Sequence, residues 1–154
     1  MTKRKRKVAI VIFYDRDLNI LVQERGKHSK QGEKYGFWGG GIEEGETPEQ
    51  AVKREILEEL NYHLKEIKYW GPYSFVIDSP GSDDYGEVFY GEIFLSPITQ
   101  ELIDSKVEEG SGKAMVNIDL AIENPNREFG PTSIKKYMSK VKEDIIELIN
   151  KSDS

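Results

Sequence analysis

Glu55, Glu58 and Glu59 fall within six residues, directly after Arg54, in the helix-forming stretch AVKREILEEL at residues 51–60. Each residue of an α-helix advances by about 100°, so the three acids project within a sector of roughly 100°. An Arg54–Glu58 pair at i, i+4 would contribute about 0.3 kcal/mol and accounts for one acid only. Glu55 with Glu58 and Glu55 with Glu59 are like-charge pairs at i, i+3 and i, i+4, which destabilise a helix unless something positive sits among them. A hard divalent cation such as Mg²⁺ or Mn²⁺ would supply that charge, because it takes carboxylate oxygens and completes its shell with water and substrate phosphates. A solvated charged face is the competing reading, and helix geometry alone leaves both open. Val52, Ile56 and Leu60 form the apolar stripe, with Glu59 on its flank at the edge of the core.

The helix has a legible start. Thr47 is the expected N-cap, Pro48 the first helical residue and Gln50 the partner that closes a capping box. Asn61 stands where a left-handed terminal residue is expected, a conformation that asparagine tolerates better than other side chains do. Upstream, Gly39, Gly40 and Gly41 are expected to form a tight loop whose missing side chains admit a ligand to the backbone.

Aligned on Gly40, the chain reads Gly40, five residues, Glu46, seven residues, Arg54, Glu55, Ile56, Leu57, Glu58, Glu59, Leu60, Asn61, Tyr62. This resembles the Nudix box, G-x5-E-x7-R-E-U-x-E-E-x-G-U with U bulky and apolar. Six charged or glycine positions and Ile56 match over 23 residues. The resemblance implies an α/β fold, a Nudix-type α/β/α sandwich with a mixed β-sheet between helices. It also implies Mg²⁺- or Mn²⁺-dependent hydrolysis of a nucleoside diphosphate linked to another group. In that reading Glu55, Glu58 and Glu59 are metal ligands, one of them acting as base, and Arg54 orients a catalytic glutamate. The Gly39 carbonyl is a main-chain ligand, and Glu46 supports the start of the helix beside Gly40.

A further ligand is expected from a loop after the sheet, with Glu109 preferred over Glu108, Glu87 and Glu92. Asn126 corresponds to positions that read the base in such relatives. Trp38 stands where many relatives carry proline, and is expected either in the core or on the wall of the substrate site. Asn61 replaces the last box glycine, and Tyr62 holds the final bulky position. Ile77 occupies the place where relatives that act on ADP-ribose carry proline. The MutT-like loop EKYGFWGGGIEEGET favours a nucleoside triphosphate cleaved to monophosphate and pyrophosphate. ADP-sugars, dinucleoside polyphosphates, RNA 5′ ends and binding without turnover are the alternatives.

The elements that must position these residues follow from pattern. Residues 8–14 and 20–24 are apolar and β-branched about a turn, and predict a hairpin. Residues 67–78 and 87–95, rich in aromatic and β-branched residues, predict two further strands, with Tyr35, Trp70, Tyr73 and Phe75 as aromatics able to stack on a base. A short helical piece near 99–106, a strand at 113–118, a loop-rich connection at 120–131 and a long amphipathic helix near 132–150 complete the chain.

The chain of 154 residues, without cysteine, is read as a basic tail at 1–7 and a single domain at 8–150 of a cytoplasmic protein, with a homodimer through the last helix allowed. Net charge is −6, and because residues 3–7 carry five positive charges the remainder stands at −11. Such a body repels phosphate unless cations intervene, which argues against nucleic acid as the general partner and for a small nucleotide delivered with metal. No apolar run is long enough to span a membrane.

Overall fold

The computed structural model describes residues 6–26, 33–77, 80–108, 112–125, 127–130 and 134–152. Seven strands form one mixed sheet: β1 (Arg6–Tyr14), β2 (Asn19–Glu24), β3 (Tyr35–Gly36), β4 (Trp38–Gly41), β5 (Lys68–Val76), β6 (Val88–Pro97) and β7 (Gly112–Asn117). Among the described residues four helices accompany them: α1 (Pro48–Leu60), α2 (Gln100–Asp104), α3 (Ile118–Glu123) and α4 (Lys135–Ser152). β1 lies at the centre, parallel to β6 along its whole length and antiparallel to β4 and β2 on its other side. β5 closes one edge against β6, and β7 pairs with β2.

Both faces of β1 are covered, which explains why its sequence is a continuous apolar run and not an alternation. Ala9, Val11 and Phe13 pack with Trp38, Val52, Ile56, Leu60 and Leu102, so α1 and α2 cover that face. Ile10 and Ile12 pack with Ile118, Ala121, Met138, Val141 and Ile145, so α3 and α4 cover the other. The expected α/β/α sandwich is present, and the apolar stripe expected on the last helix lies in or against the second core.

α1 begins as its sequence predicts. The Thr47 side chain accepts from Gln50 N at 3.1 Å, and the Gln50 side chain accepts from Thr47 N at 2.9 Å. Asn61 ends the helix in the left-handed region at φ 49°, its N–H donating to the Leu57 carbonyl.

Three expectations are corrected. The glycines at 39–41 belong to β4, where Ile10 faces Gly39 and Ala9 faces Gly40, and do not form a loop. β1 starts at Arg6, inside the basic run. The connection predicted to be loop-rich begins with α3, six residues too short for periodicity to reveal. Asparagines cap it at both ends: Asn117 accepts from Asp119 N, and Asn124 takes φ 40°. The Asn124 carboxamide then accepts from Phe129 N at 2.9 Å and donates to Phe129 O at 3.1 Å, mimicking a strand partner.

Replacement of Asn61 by alanine is expected to cost about 1 kcal/mol, because alanine has neither glycine's freedom nor asparagine's tolerance of the left-handed region. This corresponds to a fall in Tm of about 2–4 °C. Asn61→Gly is expected to melt at or above wild type; thermal denaturation of the two variants checks the pair.

Candidate active site

The site is built where α1 crosses β4. Trp38 and Gly40 alternate onto the α1 side of β4, and the fully buried Trp38 side chain fills the core beneath the helix. Trp38 is therefore a core residue, and its expected place on the wall of a substrate site is corrected. Strand alternation turns it away from the cavity described below.

Gly40 makes room for Glu55. A Cβ at residue 40 would stand 2.5–2.7 Å from the three carboxyl atoms of Glu55. At Gly39 the constraint is backbone: φ is 142°, and a Cβ would meet the Ala9 carbonyl oxygen at 2.1 Å. These two glycines bring strand and carboxylate into contact, a function that needs no loop.

Arg54 organises the acids. Its Nε and Nη2 donate to the two oxygens of Glu46 at 2.7 and 3.0 Å, and Nη2 also donates to the Gly41 carbonyl at 2.9 Å. Nη1 donates to Glu55 Oε1 at 3.0 Å and Glu58 Oε1 at 3.4 Å, with Glu43 at 3.7 Å. The bidentate fork and the Glu43 N–H hold the Glu46 carboxyl below the usual carboxylate range, and Glu46 in turn raises the Arg54 pKa.

Glu59 has different partners. It is 8% exposed, accepts from Gln23 Nε2 at 3.1 Å on one oxygen and from Gly39 N at 3.3 Å on the other. The expectation that the three acids already gather is thus corrected: among the described residues no three acidic or histidine side chains are grouped to hold a metal ion. Arg54 restrains Glu55 and Glu58, while the Gln23 amide and the Gly39 N–H hold Glu59. The donor chemistry nevertheless suits a hard cation, since Glu43, Glu46, Glu55 and Glu58 share a single guanidinium and Glu58 is half-exposed, with room to turn.

On the α4 side of the sheet a cavity of about 290 Å³ reaches Gly39 and Gly40. Its walls include Ile10, Phe37, Tyr73, Phe75 and Phe89, with Arg25, Glu33 and Asp84 as polar groups. The Tyr73 and Phe75 rings stack at 5.6 Å, and Phe75 meets Phe89 at 5.1 Å. Tyr73 fits only because Gly91 lacks a side chain beneath its ring, and burial pushes its hydroxyl pKa up. A larger cavity, about 730 Å³, lies at the other end of β1 around Tyr14, Glu66, Lys68 and Leu148, and none of Glu46, Glu55, Glu58 and Glu59 lines it.

The NUDIX domain model matches residues 3–136. The chain belongs to the NUDIX family. An 8-oxo-dGTP diphosphatase of Proteus vulgaris is 38% identical to it over 60 residues, covering 39% of this chain and 54% of that protein. An RNA pyrophosphohydrolase of Vibrio atlanticus (strain LGP32) is 43% identical over 61 residues, covering 40% and 33%. The matched segment thus spans about half of the first relative and a third of the second. The MutT protein from Methanosarcina mazei Go1 superposes with a TM-score of 0.71 over 94% of this chain and 97% of that one, at 15% identity, which shows the shared fold.

Of the other expected NUDIX site residues, Glu109 and Asn126 lie outside the described residues. Glu108 is exposed, but its N–H donates to the Glu59 carbonyl at 2.7 Å, so this loop does return to the end of α1. Glu92 accepts from the Tyr69 hydroxyl, and Trp70 donates to Asp144 on α4 at 2.8 Å, away from the cavity. Sequence reasoning missed Gln23, Arg25 and Phe89. The available signal for Gln23 was a polar residue following the apolar run ILV of β2, turned to the same side as Leu21.

Gly39→Ala is expected to destabilise the protein by about 3 kcal/mol or more, because rigid backbone meets the new methyl group. Gly40→Ala is expected to keep its fold and displace only the Glu55 carboxylate, a contrast that chemical denaturation resolves. The sign for Glu46 follows from linkage: a lowered folded pKa adds stability above the unfolded value and loses it as pH falls through the folded one. Glu46→Gln should therefore be less stable than wild type above about pH 4.5, with the two converging below it, as urea unfolding across pH will test.

Proposed function

We propose that the protein is a divalent-metal-dependent pyrophosphohydrolase acting on a nucleoside diphosphate linked to another group, with nucleoside triphosphates, split to monophosphate and pyrophosphate, as the substrate class. The observation that carries this reading is the position of Gly40, which lines the aromatic cavity and also lies against the Glu55 carboxylate. A phosphate chain leaving a nucleoside in that cavity would arrive directly at the acids.

Glu55, Glu58, Glu59 and the Gly39 carbonyl would hold Mg²⁺ or Mn²⁺, with Glu109 as the further ligand. Such an ion neutralises phosphate charge and lowers the pKa of water bound to it. Water attack at phosphorus breaks the anhydride P–O bond, and the proton of the water passes to a carboxylate of the cluster. Arg54 holds both Glu55 and Glu58, and the Glu58 side chain, the more exposed of the two, has room to turn toward an ion. Tyr73, Phe75 and Phe89 offer ring faces to the base and exclude water from it. Arg25, at the polar side of the cavity 3.6 Å from Glu33, would offer its charge to the phosphate chain. Asn126 is assigned to base reading. The names of the relatives, a diphosphatase and a pyrophosphohydrolase, support the same class of reaction.

Release of pyrophosphate or phosphate would be measured over nucleoside triphosphates, ADP-ribose, nucleotide sugars, dinucleoside polyphosphates and 5′-triphosphate RNA, with Mg²⁺ or EDTA. Turnover is expected for triphosphates with Mg²⁺ only. Glu58→Gln is expected to reduce kcat by about 100-fold or more while stability stays within about 0.5 kcal/mol of wild type. Nucleotide binding without turnover of any substrate would replace this reading by a sensing module.

A further inference from the structure

Glu59 differs from the other acids of the site in how it is held. Glu46, Glu55 and Glu58 each contact the Arg54 guanidinium, which positions them but also offsets their charge. Glu59, one turn on from Glu55, has other partners: the Gln23 amide and the Gly39 N–H each donate to one of its oxygens. Those two donors orient the carboxylate and carry no net charge of their own, so they do not compete electrostatically with a cation.

The Gln23 amide is itself constrained. It is 4% exposed, and its Oε1 accepts from Arg25 Nη1. An amide has one acceptor and one donor end, so engagement of the oxygen by Arg25 aims the NH₂ group at Glu59. Arg25 is braced in turn by Glu33 at 3.6 Å, and its side chain passes over Gly36, where an added Cβ would stand 3.3 Å from its Cδ. The row Glu33, Arg25, Gln23, Glu59 therefore runs from the wall of the nucleotide cavity to the end of α1.

We infer that Gln23 is a positioning residue that fixes the Glu59 carboxylate for cation binding, with Arg25 setting the sense of the amide. This rests on the metal-dependent reading above. Groups that orient metal ligands from behind typically change metal affinity 10–100-fold when removed. Gln23 would act through the ligand, since its side chain bonds to Glu59 and Arg25.

The test is Mn²⁺ binding in the absence of nucleotide, followed by EPR of the free ion, for wild type and Gln23→Met, with thermal melts and steady-state kinetics alongside. Methionine keeps the length and removes both hydrogen bonds. The expected result is an Mn²⁺ affinity at least tenfold weaker in a cooperatively folding variant, with a fall in kcat at a KM within about threefold of wild type. If Gln23→Met does not fold, Gln23→Asn, polar but one methylene too short to bridge both partners, carries the same expectation. A folded variant with Mn²⁺ affinity and kcat within about twofold of wild type overturns the inference. Wild-type protein that neither binds Mn²⁺ nor turns over any nucleotide overturns the catalytic reading, and the inference with it.

Discussion

One guanidinium holds the site together. Arg54 lies among Glu43, Glu46, Glu55 and Glu58 within 3.7 Å, and without it the head of α1 would be a cluster of unrelieved like charges. Arginine suits the position better than lysine, because its planar fork makes the bidentate pair with Glu46 and still has a nitrogen for Glu55 and Glu58. A single positive charge cannot cancel four negative ones. The arrangement is thus stable enough to fold and negative enough to attract cations, the combination that a site for phosphate chemistry needs in an otherwise acidic protein.

The second constraint is distance. A carboxylate on a helix can meet a strand backbone only where that strand has no side chain on the facing side, and Gly40 provides the gap. Gly39 next to it allows β4 to run close to β1, where the Ala9 carbonyl occupies the space a side chain would need. β1, flanked by β6 on one side and by β4 and β2 on the other, is the rigid reference for both. Its two apolar faces anchor α1 on one side of the sheet and α4 on the other. The helix that carries the acids and the sheet that walls the cavity therefore share one support.

The division of labour among the acids follows from their partners. Those paired with Arg54 lie at the mouth of the site, where Glu58 is half-exposed, while Glu59 is buried against neutral donors. Burying a charged carboxylate is costly unless hydrogen bonds compensate it, and the Gln23 amide and Gly39 N–H do so. The cavity shows the same economy of parts. Gly91 yields its space to the Tyr73 ring, which then stacks on Phe75, so apolar walls form beside the few polar groups that would meet a nucleotide.

Much of this fold is legible in the residues themselves. The N-cap, the left-handed Asn61, the hairpin, the two aromatic strands and the amphipathic last helix are local in cause, arising from turn chemistry and periodicity over a few residues. The motif from Gly40 to Glu59 is legible because its spacing is set by one helix and the turn before it. The strand character of 39–41 is not, because glycine has low intrinsic strand preference and β4 exists only through pairing with β1. Nor is α3, too short for a period, or Trp38, whose side of the sheet depends on register. Gln23 and Arg25 lie more than thirty residues from Glu59 in the chain, and only the stacking of β2 under α1 makes them neighbours. Sequence by itself thus determined which acids and which arginine share one motif, since helix geometry fixes their mutual spacing. Tertiary structure alone decided which of them Arg54 restrains, which a neutral amide holds, and where the aromatic cavity opens, because those contacts depend on long-range packing that no local pattern encodes.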